Sequence, residues 1–290
     1  MNNTINLENA HHVTLPNGLC AMLCHTPEAS ESFVSMAVRA GHFYDPNDCQ
    51  GLAHLLEHML FMGSRHLPKP NAINGFIEQH GGTINAWTGT EYANYHFSCS
   101  GGALAQTLPA FADMLRQPLF EEDALTNEIK NIHAEFEFKK KDDLRRLYQI
   151  HKETCNPHHP FAKFSVGNSD TFSQHECAEL KHRLKSLHQT YYCALNMRLC
   201  IASPMPTPQL EALIHQCFGS LPSGELAPDN WPPLYTENEL GIQINIHPLQ
   251  SAKRMIVTFA LPALQNDYKT KPLNYISHLI GDEGEGSLLA

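Results

Sequence analysis

The 290-residue sequence predicts an α+β fold, in which strands and helices alternate through one large domain and then begin again. Short apolar segments typical of strands alternate with segments of helical periodicity. A stretch rich in Pro, Gly, Asn and Asp at 222–235 interrupts this order, and a strand–helix pattern restarts after it. We therefore expect an N-terminal domain at 1–221, a linker at 222–240 and the truncated start of a second, homologous domain at 241–290.

Strands in the first third of the chain are predicted where short apolar or alternating segments are bounded by turn residues. Pro16-Asn17-Gly18 is such a turn, and Gly81-Gly82 is typical of the end of a helix. These patterns predict strands at 12–15, 19–24 and 32–38, a buried helix at 52–62, an amphipathic helix at 71–80 and a strand pair at 84–99.

Helices dominate the middle of the chain, where apolar residues recur three or four positions apart, as in Leu108, Phe111 and Leu115. The remaining predicted elements are helices at 103–115, 121–151 and 177–192, a strand at 197–202, a helix at 207–218, strands at 242–247 and 254–261, and a helix at 273–280.

The composition excludes several classes of protein. With 42% hydrophobic and 17% charged residues, the chain has ample material for a core. Its net charge of −10 argues against nucleic acid or an anionic membrane surface as a partner. Nine cysteines without a CxxC pair indicate reduced thiols. Because neither a secretory signal nor an apolar run of about 18 residues is visible, we expect a cytoplasmic protein, with the periplasm as the alternative.

The motif His54-Leu55-Leu56-Glu57-His58 is the most informative feature. On a helix, positions i, i+3 and i+4 share a face, so both imidazoles and the carboxylate point the same way. Two imidazoles at this spacing can bind one metal ion, and Glu57 can then take a proton from a water molecule. Hydrogen-bonded core histidines are the plainer alternative. However, these three residues are the only polar groups at 52–62, and burying them unpaired would cost several kcal/mol.

A zinc site of this kind needs a third protein ligand and one position left for water. Glu128 and Glu135 are candidates, because they are seven residues apart and so lie roughly on one face of the long predicted helix. The spacing alone neither chooses between them nor excludes Glu137.

These residues resemble the insulinase (pitrilysin) family of inverted zinc peptidases, and the resemblance spans about residues 10–290. The family pattern adds a glutamate 77 residues after the second histidine and another glutamate seven residues before that one, which here are Glu135 and Glu128. The segments that share the resemblance are Gly51–Ala53, Gly82–Thr88, Glu91–Phe97, Asn156–Phe164, Gly167–Asn168 and Val257–Leu289. The later segments resemble the long single-chain branch of the family.

The resemblance implies that His54, His58 and Glu135 bind one Zn²⁺ per chain, that Glu57 is the general base and that Glu128 is a supporting carboxylate. It also implies repeated domains, each a mainly antiparallel sheet with helices on one face. A peptide substrate is expected to add a strand at Asn85 and Ala86. Two further positions, Phe61 and Trp87, match the pocket for the residue before the cleaved bond, although plain core packing is the alternative for both.

The function expected from the resemblance is a zinc-dependent endopeptidase that hydrolyses peptides or small polypeptides. An arginine and a tyrosine from the C-terminal half complete the family's active site, so we expect this chain to lack part of that site and to be poorly active alone. A non-catalytic scaffold or chamber subunit of the same fold is the alternative function. A homodimer is left open.

Overall fold

The computed structural model describes residues 10–250, 253–262 and 264–287. It contains one six-stranded sheet in the order β1-β2-β6-β3-β5-β4. The strands are β1 (His11–Thr14), β2 (Cys20–His25), β3 (Glu31–Val38), β4 (Ile84–Thr88), β5 (Ala93–Ser100) and β6 (Met197–Ser203). All neighbouring strands are antiparallel except the parallel pair β2 and β6. The sheet is therefore mainly antiparallel, and together with the helices it confirms the predicted α+β class.

Only one face of the sheet is fully buried. Along β3, Val34 and Met36 are buried, while Phe33, which points to the other face, is 52% exposed. On β5, Tyr95 and Phe97 are buried and pair in register with Met36 and Val34. Because side chains alternate between the two faces of a strand, this pattern directs one face into a helix-covered core and leaves the other open.

The helices are α1 (Leu52–Leu60), α2 (Ala72–Gln79), α3 (Leu104–Arg116), α4 (Glu122–Lys139), α5 (Asp143–Glu153), α6 (Ser169–Phe172), α7 (Cys177–Tyr191), α8 (Thr207–Phe218) and α9 (Pro272–Gly281). Helix α1 contacts β4, α4 and α7, so it lies between the sheet and two other helices. No helix in the described part of the chain is long and apolar enough to cross a membrane.

The single helix predicted at 121–151 is wrong, because the structure has two helices there. Helix α4 ends at Lys139 and α5 begins at Asp143. The break follows from Asp142, whose side chain accepts hydrogen bonds from the backbone N–H groups of Leu144 and Arg145. An N-cap of this kind starts a new helix, since it satisfies donors that have no partner within the helix.

The segment after α8 is irregular but packs against the domain. The side chain of Asn196 accepts a hydrogen bond from the Ala227 backbone N–H, and Trp231 packs edge-on against Phe43. The strand predicted at 242–247 is wrong, because these residues are exposed and form no strand. An apolar alternating sequence becomes a strand only where another strand offers hydrogen bonds.

The chain divides into two compact units after Gln250, and the second unit contains α9 preceded by a 3-10 turn at Gln265–Asp267. The strand predicted at 254–261 is also wrong, since residues 253–262 form no strand with any described segment. The last residues of the Val257–Leu289 resemblance, Leu288 and Leu289, lie outside the described residues.

Candidate metal centre

Helix α1 presents His54, Glu57 and His58 on one face, as the i, i+3, i+4 spacing predicts. The two imidazole ring centroids are 4.8 Å apart and the ring planes are nearly perpendicular. The opposite side of the helix is fully buried, with Leu55 and Leu56 in the core. Burial of these leucines therefore fixes the rotation of the helix and directs its polar face towards α4.

Glu135 on α4 meets both histidines. Its Oε2 lies 3.7 Å from Nε2 of His54 and 3.7 Å from Nε2 of His58. The three ligand atoms lie within 4.8 Å of one another. In a tetrahedral zinc site with ligand distances of about 2.0–2.2 Å, two ligand atoms are about 3.3–3.6 Å apart. The two distances from Glu135 are close to this range, and side-chain movements of about 1 Å would bring all three atoms to it.

His54 is oriented by the backbone of a distant loop. Its Nδ1 donates a hydrogen bond of 2.7 Å to the Val166 carbonyl, which leaves Nε2 with a lone pair facing the site. Glycines allow this approach, because a Cβ at Gly51 would lie 2.4 Å from the Cα of Gly167, and φ of Gly51 is +90°. Burial, with His58 nearby, lowers the pKa of His54 to about 4 and keeps the imidazole neutral.

His58 is oriented by a buried carboxylate. Its Nδ1 donates to Oε2 of Glu128 at 3.0 Å, and the other oxygen of Glu128 accepts from Asn131 at 2.9 Å. Burial alone would lower the pKa of His58, but the hydrogen bond to Glu128 and the nearby carboxylates raise it overall. Glu128 thus makes the imidazole more basic through Nδ1, whereas Nε2 is the nitrogen that lies near Glu135.

The carboxylates of Glu57 and Glu135 have different partners. The hydroxyl of Thr88 on β4 donates a hydrogen bond to Oε2 of Glu57, and burial raises the pKa of Glu57. Glu135 forms an ion pair with Lys139. Although burial favours the neutral acid, Lys139 and His54 hold the pKa of Glu135 below its usual range, so this side chain is charged at pH 7 and could serve as an anionic ligand. Glu57, in contrast, has the raised proton affinity that suits a general base.

The start of α1 is held by another buried carboxylate. Oδ1 of Asp45 accepts a hydrogen bond of 2.7 Å from the Ala53 N–H, and Oδ2 accepts one of 2.8 Å from the Gly51 N–H. These are donors that a helix leaves unsatisfied at its N-terminus, and the two hydrogen bonds satisfy them although burial raises the pKa of Asp45 to about 7. Asp45 therefore fixes the position of the helix that carries the polar face.

The structure separates the three glutamates that the spacing left open. Glu135 lies beside the two histidines, and Glu128 lies behind His58. Glu137 is exposed and forms an ion pair with Lys140 instead. Only Glu135 of these three is in a position to bind the same ion as His54 and His58.

The predicted substrate-binding residues lie on or near a sheet edge. Strand β4 pairs with β5 alone among the described strands, so its other side has free backbone groups. On β4, Asn85 and Trp87 are exposed, Trp87 by 51%, and Ala86 is half-buried. Phe61 is half-buried and packs against the core. The position of Trp87 suits a ligand contact, whereas core packing accounts for part of the Phe61 side chain.

The groups that contact predicted site residues but were not themselves predicted include the Thr88 hydroxyl, the Val166 carbonyl and the Lys139 ammonium. Thr88 shares the half-buried face of β4 with Ile84 and Ala86, so the alternation of the strand could have indicated that its hydroxyl faces the core. A carbonyl 112 residues from His54 leaves no such signal in the sequence.

Comparison with known proteins identifies the class of this chain. Residues 21–162 match the family model described as "Insulinase (Peptidase family M16)", and residues 181–290 match "Peptidase M16 inactive domain". The chain belongs to peptidase family M16, the insulinase family.

Several individual relatives are similar over most of the chain. It is 33% identical over 282 residues to the A-factor-processing enzyme of Saccharomyces cerevisiae, covering 96% of this chain and 28% of that protein. It is 34% identical over 280 residues to the insulin-degrading enzyme of Homo sapiens, covering 95% and 28%. The crystal structure of pitrilysin superposes with a TM-score of 0.75 at 31% identity, covering 82% of this chain and 26% of that one. The chain thus spans under a third of the length of these relatives.

Proposed function

We propose that this chain is the N-terminal, zinc-binding part of a longer zinc-dependent endopeptidase that hydrolyses peptides or small polypeptides. The observation that carries the proposal is the convergence of His54, His58 and Glu135, with Glu57 on the same face of α1. Membership of the insulinase family supports it, as does the greater length of the relatives.

The donor set suits one zinc ion. Two imidazole nitrogens and one carboxylate oxygen are a common catalytic set, and they leave a fourth position for water or substrate. The side chains of His58 and Glu135 are 24% and 30% exposed, so the centre is open to a ligand from solvent. When bound, zinc lowers the pKa of a water molecule to about 7 and polarises a carbonyl group.

Glu57 is the general base of the proposed reaction. Its carboxylate takes a proton from the attacking water molecule and passes it to the leaving amine. Burial raises its pKa, which increases its affinity for that proton, while Thr88 holds one of its oxygens in place. The free Oε1 is then the oxygen that accepts the proton.

The substrate binds as an added strand along β4 in this proposal. An extended peptide would form backbone hydrogen bonds at Asn85 and Ala86, with Trp87 and Phe61 beside the residue before the cleaved bond. Groups that complete the active site belong to the remaining part of the longer protein, whose relatives extend well beyond the length of this chain.

The substitution Glu57→Gln in the full-length protein tests the proposal. The amide keeps the shape of the side chain but accepts no proton, so zinc content should stay at one ion per chain while kcat falls about 10²–10⁴-fold. Glu137→Gln, an exposed change of the same kind on α4, is the control and should leave both unchanged. Turnover by Glu57→Gln above about a tenth of wild type would refute the role of Glu57 as the base.

A further inference from the structure

A lysine is buried in the core behind the metal centre. Lys152 on α5 has no exposed surface. The hydrogen-bond partners of its ammonium are the Ser165 hydroxyl at 2.9 Å and Nε2 of His42 at 3.3 Å, neither of which is a carboxylate. The ring centroids of Tyr148 and Phe161 each lie 5.6 Å from the same nitrogen. The ammonium is therefore hydrogen-bonded to neutral acceptors and lies near aromatic faces, and the nearby Asp45 carboxyl also favours its charged form.

The two hydrogen bonds lead to different loops. On one side, Ser165 precedes Val166, whose carbonyl accepts the hydrogen bond from Nδ1 of His54. On the other side, Nδ1 of His42 donates to the Gly89 carbonyl at 3.0 Å, so Nε2 has the lone pair that accepts from Lys152.

The second loop also reaches the centre. Gly89 directly follows Thr88, and the Thr88 hydroxyl donates to the Glu57 carboxylate. One ammonium thus joins the loop that orients His54 to the turn that orients Glu57. Ser165 is one residue from Val166, and Gly89 is one residue from Thr88. A shift of either segment would therefore move His54 or Glu57.

We propose that Lys152 is a positioning residue for the metal centre, which sets the orientation of His54 through Ser165 and of Glu57 through His42. The inference deepens the proposed function and rests on it for the catalytic role of Glu57. Its effect on zinc binding requires only that His54 is a ligand.

Stability alone does not account for a lysine at this position. Burial lowers the pKa of Lys152 to about 8, which shows that the charged form is disfavoured there. An apolar side chain of similar length would avoid that penalty. It would, however, give neither Ser165 nor His42 a donor, and the two loops would lose their shared partner.

The substitution Lys152→Met in the full-length protein tests the proposal, with Lys130→Met as the matched control. Lys130 is an exposed lysine on α4, the helix that carries Glu135, so it undergoes the same change of charge and shape. Circular dichroism reports folding, chelator competition gives the zinc dissociation constant, and the absorption spectrum of the Co²⁺-substituted protein reports ligand geometry.

A folded Lys152→Met variant should bind zinc about 10–100-fold more weakly than wild type, with an altered Co²⁺ spectrum, as is typical when a group that supports a metal ligand is lost. Its kcat should fall more than its KM changes. Zinc affinity and a Co²⁺ spectrum equal to those of Lys130→Met would overturn the proposal.

A second pair of variants keeps the test decisive if Lys152→Met does not fold. Ser165→Ala removes the acceptor on the His54 side alone, and Ser165→Thr keeps the hydroxyl. Weaker zinc binding by Ser165→Ala and recovery in Ser165→Thr support the proposal, whereas equal affinities in both contradict it. Wild-type protein that binds zinc but cleaves no peptide would refute the proposed function and leave the zinc data to decide the role of Lys152.

Discussion

The substitution Glu128→Gln examines how the protein tunes one metal ligand. Glu128 is 6% exposed, and its Oε2 accepts the Nδ1–H of His58 at 3.0 Å. Glutamine has nearly the same shape, and its single amide oxygen can still accept from Nδ1 of His58, so on that side the change removes only the negative charge. The amide nitrogen then faces Asn131, whose exposed side chain loses this acceptor and can hydrogen-bond to water instead.

The expected loss follows from the charge on this hydrogen bond. A hydrogen bond to a charged group contributes about 1.5–3 kcal/mol, and one between neutral groups about 0.5–1.5 kcal/mol. The difference, about 1–1.5 kcal/mol, corresponds to roughly 10-fold weaker zinc binding. The mechanism is indirect, because a neutral partner at Nδ1 makes Nε2 of His58 a less basic ligand.

Chelator competition measures this loss, with Glu137→Gln on the same helix as the control. The assay belongs at about pH 8.5, because Glu128 raises the pKa of His58 and a proton competes with zinc at lower pH. Glu128→Gln should raise the zinc dissociation constant about 10-fold, and Glu137→Gln should not. Equal dissociation constants for the two variants would refute the idea that Glu128 tunes His58.

Three further outcomes are expected. Burial lowers the pKa of Lys152 from 10.5 to about 8, so between these pH values the unfolded chain holds a proton that the native chain has lost. The free energy of unfolding should therefore rise by about 2 kcal/mol from about pH 8 to pH 10 in wild type but not in Lys152→Met. Equal pH slopes for the two proteins in denaturant titrations would contradict this. The 290-residue chain alone should bind zinc yet cleave a fluorogenic peptide at least about 10²-fold less efficiently than the full-length protein, since donors that stabilise the oxyanion are missing. Comparable kcat/KM values for the two at matched zinc occupancy would count against a divided active site. Trp87→Ala should lower kcat/KM about 10-fold for peptides with an aromatic residue before the cleaved bond. Phe33→Ala, which removes an equally exposed aromatic side chain on β3, should have no effect. An unchanged kcat/KM in Trp87→Ala would remove this residue from the substrate site.

Local spacing predicted the features of the centre that lie on one helix. His54, Glu57 and His58 share a face because helical geometry requires it. The choice of Glu135 depended on the resemblance, since spacing alone neither chose between Glu128 and Glu135 nor excluded Glu137. What separates them is the rotation of α4 against α1, and tertiary packing determines that rotation.

Long-range contacts account for what the sequence did not predict. The Val166 carbonyl and Lys152 each act on residues more than 100 positions away, so no local pattern contains them. The predicted strands at 242–247 and 254–261 failed for a related reason, because strand formation needs a partner and propensity does not supply one. The break at Asp142 was a local signal, a helix N-cap, that the apolar stripe of the long predicted helix obscured.

The most direct test of the account is a crystal structure of the zinc-loaded protein with anomalous data at the zinc edge. One peak should lie between Nε2 of His54, Nε2 of His58 and a carboxylate oxygen of Glu135, at about 2.0–2.2 Å from each. Glu57 should lie beside the open position with Thr88 still bound to it. A zinc peak elsewhere, or a peak with any of the three ligands turned away, would contradict the proposed centre.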